Sequence, residues 1–145
     1  MTSHLYNREI LRLATSLAGQ ARLRDFHGTA DRRSPTCGSR VIVDVNLDEA
    51  RRIAEIGMEV SACALGQASA ALVLAHAPGL SAADLRDAAD ALRSWLGGED
   101  VATDFWPGIE VFATARDYPA RHPSILLAFE AAADAALALR NGEAA

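Results

Sequence analysis

Between positions 40 and 62 the side chains change sides with every residue, and at Cys63 they stop doing so. Val41, Val43, Val45 and Leu47 fall on one face and Arg40, Asp44, Asn46 and Asp48 on the other, with Ile42 the single exception. A period of two marks a half-buried antiparallel strand. After the turn at Glu49, Ala50, Arg51 and Arg52, a second alternation sets Ala54, Ile56, Met58, Val60 and Ala62 against Glu55, Gly57, Glu59 and Ser61. The two segments are expected to pair as a hairpin. Over residues 63–77 Leu65, Leu72, Val73 and Leu74 stand among repeated alanines with Gly66 and Ser69, which indicates a central helix buried on all sides. Because a hairpin returns the chain to its starting end, Cys37, on the Gly-containing turn before the first strand, and Cys63, at the head of the helix, are expected to meet at one end of the sheet.

The remaining segments read as packing around this arrangement. Tyr6, Ile10, Leu13 and Leu17 recur at helical spacing within residues 3–18, and Gly19 stops that helix. Residues 22–33 are irregular and charged, a loop leading to a short edge strand, with His27 a solvated loop residue. Pro78 and Gly79 end the central helix, where His76 complements the helix dipole. Ser81 with Asp84 forms a capping box, and Leu80 with Leu85 a hydrophobic staple. The helix that follows buries Leu85, Ala88, Leu92 and Leu96 and closes at Gly97 and Gly98. Residues 99–121 form a looser connection, with a turn at Trp106, Pro107 and Gly108 and a short helix over 109–115; Trp95, Phe105 and Trp106 are core or lid aromatics. A final helix buries Ile125, Phe129, Ala132, Ala136 and Leu139, and residues 141–145 fray. A sheet followed by helices predicts an α+β fold, a small antiparallel three-stranded sheet packed by helices on one face.

The 145 residues suit one domain spanning 1–145, large enough to bury roughly 68–70% of its unfolded surface. A net charge of -5 and the lack of any Lys/Arg run argue against nucleic acid. The start of the chain has neither a basic segment nor an apolar stretch of signal type, and the apolar run from Ala70 is broken at His76, so no membrane association is expected and the location is cytoplasmic. In that compartment two cysteines are free, metal-bound or catalytic rather than a structural disulfide, and burial as inert small hydrophobes competes with those roles.

A thiolate is the reactive and metal-binding form of cysteine, and a helix N-terminus favours negative charge. Cys63 is expected there, while Cys37 lies beside Gly38 and three residues before Arg40. Serine-histidine-acid triads, phosphate loops and paired catalytic carboxylates leave no trace, so these residues assign no enzymatic reaction.

The order of an amino-terminal helix, Ser34-Pro35-Thr36-Cys37-Gly38 before a strand, a strand pair, Cys63-Ala64-Leu65-Gly66-Gln67-Ala68-Ser69-Ala70, a long helix, and Tyr118-Pro119-Ala120-Arg121 before the last helix resembles the U-type iron-sulfur cluster scaffolds. The resemblance covers nearly the whole chain and is strongest to the SUF-type branch, with a SufE/NifU-like fold. It implies a site of three cysteines and an aspartate that holds zinc or a nascent cluster and receives sulfur from a cysteine desulfurase for delivery to apo iron-sulfur proteins.

On that pattern Cys37 and Cys63 keep the first two cysteine positions, Cys37 being the candidate sulfur acceptor. Ser39 stands at the aspartate position and Ser124 at the third cysteine position, so half of the ligand set is missing. His122 is a candidate third metal ligand, because two cysteines, one histidine and an open position make a known zinc arrangement. Two readings follow: a scaffold-like protein that accepts sulfur or transiently binds iron, cluster or zinc, and a family member that has lost cluster chemistry and serves as a binding or regulatory module, its apolar helices forming a homodimer.

Overall fold

The computed structural model describes residues 6–35 and 38–144, with side chains to position 138. The sheet consists of β1 (Gly28–Arg33), β2 (Arg40–Leu47) and β3 (Ile53–Ser61), antiparallel in the order β1-β2-β3. Val41, Val43, Val45 and Met58 point from it into the core, as the alternation predicts. An irregularity at Asn46 and Leu47 then shifts the register, so that Leu47 pairs with Ile53. Parity changes with it: Ile53, not Ala54, is the buried residue at that end.

The helices are α1 (Arg8–Ser16), α2 (Ala64–His76), α3 (Ala82–Leu96) and α4 (His122–Ala144). α4 lies across β1 and β2 and packs against α2 and α3, while α1 packs against α2. The helix directly on the sheet is therefore α4, and α2 is buried over residues 68–73 because it sits between α1 and α4, while Ala75 and His76 at its end are exposed. The result is an α+β fold with its helices on one face of a three-stranded sheet.

Several boundaries differ from the expectation for local reasons. α1 begins at Arg8 because the Asn7 side chain caps it, accepting from Ile10 N at 2.9 Å, so Tyr6 precedes the helix; Ser3 lies outside the described residues. The helical backbone of α4 continues through Ala144 where fraying was expected. The connection before α4 is more ordered than anticipated, with 3₁₀ turns at Thr103–Phe105, Ile109–Asp117 and Pro119–Arg121. Arg116 ties it to α3: its guanidinium donates to the carbonyls of Trp95 (2.7 Å) and Glu99 (3.2 Å) and stacks over the Trp95 ring. Trp106 is a core residue; its indole N–H donates to Leu72 O at 3.0 Å, and its ring meets Phe129 edge-on at 4.9 Å. The capping box of α3 forms as read, with Ser81 and Asp84 each accepting from the other's backbone N–H.

The second face of the sheet is not left to water. Alternation places Asp44 there, yet its side chain is fully buried, because residues 20–26 cross over it. Arg22 Nε and Nη2 donate to its two oxygens at 3.0 Å each, Thr29 Oγ1 donates at 2.8 Å and Leu23 N at 3.2 Å. The crossing strap requires Gly57 beneath it: a Cβ there would stand 2.7 Å from Ala21 O and 2.9 Å from Leu23 N. Burial pushes the Asp44 carboxyl up, but the Arg22 and Thr29 hydrogen bonds outweigh it and hold the group below the usual carboxylate range.

A carboxyl group held low in the folded state stabilises it above the unfolded value and loses that contribution as pH falls through the folded value. Asp44→Asn should therefore lower stability by about 1–3 kcal/mol, the cost of mismatched buried hydrogen bonds, since Arg22 is 39% exposed and is not left as a buried charge. Denaturant titration at neutral and acid pH should show the gap between variant and wild type narrowing as the wild-type carboxylate protonates.

Candidate functional site

Strand register determines what meets what. Arg33 pairs with Arg40 and Arg40 with Ser61, so the β1–β2 turn and the exit of β3 share one end of the sheet. Ser34 N donates to Ser39 O at 2.8 Å and Gly38 N to Ser34 O at 3.1 Å, which closes the turn, and Gly38 takes a φ of 73° that a side chain would strain. Cys37, which the sequence carries in this turn, lies outside the described residues. Its described neighbours Pro35 and Gly38 are exposed, and Ser39 is buried, 4% exposed.

Two residues beyond Ser61 the chain reaches Cys63, the N-cap of α2. Cys63 is a half-buried free thiol in extended backbone conformation, and its side chain makes no capping hydrogen bond. Its carbonyl accepts from Gln67 N at 2.9 Å, while Gln67 Nε2 donates to Ala62 O at 3.1 Å, so the entry to the helix is fixed from both sides.

The third component is the first turn of α4. Ser124 is 3% exposed and packs where α2 comes closest: a Cβ on Gly66 would lie 3.3 Å from Ser124 O, 3.9 Å from its Cβ and only 2.7 Å from Ala62 Cβ. One turn further along α2, the Ser69 hydroxyl donates to Ile125 O in a fully buried contact. The sequence marks Gly66 and Ser69 as small residues of a buried helix, and nothing in it names α4 as the neighbour.

These elements bring Ser39, Cys63 and Ser124 to the end of the sheet at which the turn carrying Cys37 stands. His122, first residue of α4, has Nε2 2.9 Å from Ala115 O, and so ties the end of the 3₁₀ stretch to the helix start. With the proton on Nε2, Nδ1 is the nitrogen left for any other partner. Arg121 is exposed just before it, and neither α2 nor α4 carries an acidic residue in its first turn. Among the described residues no three His, Cys, Asp or Glu side chains stand together as a metal-binding group. No helix among them is long and apolar enough to cross a membrane. An apolar groove of about 400 Å3, with Leu47, Arg51, Ala82 and Leu137 in its lining, lies by the β2–β3 turn at the opposite end.

The fold recurs in solved structures. A nitrogen-fixing NifU-like protein (N-terminal) from Brucella abortus superposes with a TM-score of 0.88 at 32% identity, with 97% of each chain covered. The chain belongs to the NifU-like family. A protein of Fervidobacterium islandicum AW-1, described as an iron-sulfur cluster assembly scaffold for the SUF system, shares the fold at 18% identity and a TM-score of 0.83, over 96% of this chain and 99% of that one. No protein-family model and no curated protein matches the sequence. The NifU-like fold thus agrees with the resemblance drawn from the sequence landmarks.

The close contact at Gly66 gives a direct check on the geometry. Gly66→Val should destabilise by about 1–3 kcal/mol through overpacking, since Ala62 and the Ser124 backbone leave the new side chain no room. Thermal melts of Gly66→Val and Ala71→Val, the second on the same helix away from this contact, should show the larger loss for Gly66→Val.

Proposed function

We propose that the protein works in iron-sulfur cluster assembly, accepting sulfur from a cysteine desulfurase at Cys37 and Cys63 and passing it toward apo iron-sulfur proteins. One observation carries this reading: in a NifU-like chain, the turn that holds Cys37 in the sequence, the N-cap Cys63 and the first turn of α4 occupy one end of the sheet. Iron, zinc or a nascent cluster is cargo at such a site, and the chemistry of the chain itself is that of its thiols.

Sulfur acceptance needs only thiol exchange. An acceptor thiolate attacks the terminal sulfur of a donor cysteine persulfide; one sulfur–sulfur bond forms as another breaks, and the donor leaves as a thiolate, so no oxidant is consumed. The exposed flanks of the Cys37 turn suit it for the first encounter. Cys63, half-buried at the positive end of α2, is the second acceptor, where backbone N–H groups of the first turn favour a terminal sulfur anion. Arg121, exposed beside the site, adds a cation that a persulfide favours.

A binding or regulatory module is the second reading, favoured by the burial of neutral Ser39 and Ser124 among the site elements. Incubation with a desulfurase and cysteine separates the two. The sulfur-acceptor reading expects a mass gain of one sulfur on Cys37 or Cys63, reduced more in Cys37→Ser than in Cys63→Ser. No modification, together with slow alkylation of both thiols in the folded protein, would leave the module reading standing.

A further inference from the structure

We infer that this chain handles sulfur without holding an iron-sulfur cluster of its own. The inference rests on the assembly role proposed above and narrows its cargo to sulfur. A [2Fe-2S] cluster is held by a full set of anionic or strongly donating side chains, four cysteine thiolates in the usual case. The whole sequence contains two cysteines. Only Cys63 is among the described residues, and there no group of three metal-ligating side chains surrounds it. Cys37 adds one thiolate and no more.

The other side chains brought to this end do not make up the deficit. Ser39 and Ser124 are neutral hydroxyls, 4% and 3% exposed, and no buried side-chain nitrogen or oxygen among the described residues is left without a hydrogen-bond partner. The polar atoms are satisfied by the fold itself, so none is held open for a metal. His122 has one ring nitrogen committed to Ala115 O. The starts of α2 and α4 bring positive helix ends with no carboxylate in either first turn, a field that opposes a cation and suits an anionic sulfur. Donor number, donor chemistry and local charge agree: two thiols suffice for a persulfide and not for a cluster.

The test is anaerobic reconstitution of the full chain with ferrous iron and sulfide, followed by desalting, iron and acid-labile sulfide analysis and visible absorption. Wild type should retain little iron and show no cluster bands. Ser39→Asp with Ser124→Cys should retain at least about tenfold more, because even loss of an outer-shell partner costs about 10–100-fold in metal affinity. Ser124→Cys alone, a nearly isosteric change, should also gain, which keeps the test valid if the double variant folds poorly. Stoichiometric iron and sulfide on wild type, or half a cluster per chain bridging two copies, would overturn the inference, as would no gain in Ser124→Cys. A parallel persulfide assay separates the claims. Iron retained with persulfide formed defeats this inference alone; neither iron nor persulfide defeats the sulfur-acceptor role itself.

Discussion

The position of the site depends on how closely α2 can approach α4. Gly66 has no side chain at the point where Ala62 and Ser124 close in, and Ser69 reaches from α2 to the carbonyl of Ile125. A larger residue at either position would force the helices apart, and the head of α2 would leave the head of α4. Because α4 also lies across β1 and β2, this contact fixes Cys63 relative to the sheet as well as to Ser124. The register of β2 and β3 supplies the second coordinate by setting Arg40 against Ser61. Helix contact and strand register together define one end of the molecule with little help from loops.

At the outer face of the sheet a different interaction serves. A carboxylate buried on a strand is costly unless nearly every lone pair is used, and Asp44 has Arg22, Thr29 and Leu23 around it. The strap thereby attached leaves α1 free to pack on α2 while the chain returns to β1. The two faces of one strand thus perform separate tasks, Val41, Val43 and Val45 filling the core and Asp44 anchoring the strap.

Much of this was legible in the sequence because it is written locally. The period of two over β2 and β3, its loss at Cys63, and the Ser81–Asp84 capping box each depend on residues a few positions apart, and the structure forms both strands, the helix after Cys63 and the box, although β2 is buried on both faces rather than one. Nonlocal facts were not legible. Asp44 looked solvent-facing because its partner Arg22 lies in an irregular stretch with no period to read. The shift at Asn46 and Leu47 has no local signature, so alternation alone assigns Ala54 to the core face where the structure buries Ile53. At the site, Cys63 at a helix head followed from the change of period, and the β1–β2 turn at the same end of the sheet followed from the hairpin, Cys37 itself lying outside the described residues. The burial of Ser39 and Ser124 and the bond from His122 to Ala115 O follow only from packing.

Charge at the site end is the physical quantity that links fold to chemistry here. Two helix heads converge there, each with partial positive charge on backbone N–H groups that favours an anion by about 0.3–1 kcal/mol in exposed settings. A site that retains cations must offset that field with its ligands, and carboxylates and thiolates do so by supplying full negative charge. Serine supplies none: it donates or accepts a hydrogen bond and stays neutral, so Ser39 and Ser124 leave the helix field uncompensated. Cys63, a half-buried residue, stands at the edge of that field with no side-chain capping bond. Gly66, Ser69 and strand register thus fix where Cys63 stands, and the neutral Ser39 and Ser124 at the same end leave the field of the two helix heads unopposed, which is the physical basis of the sulfur chemistry proposed above.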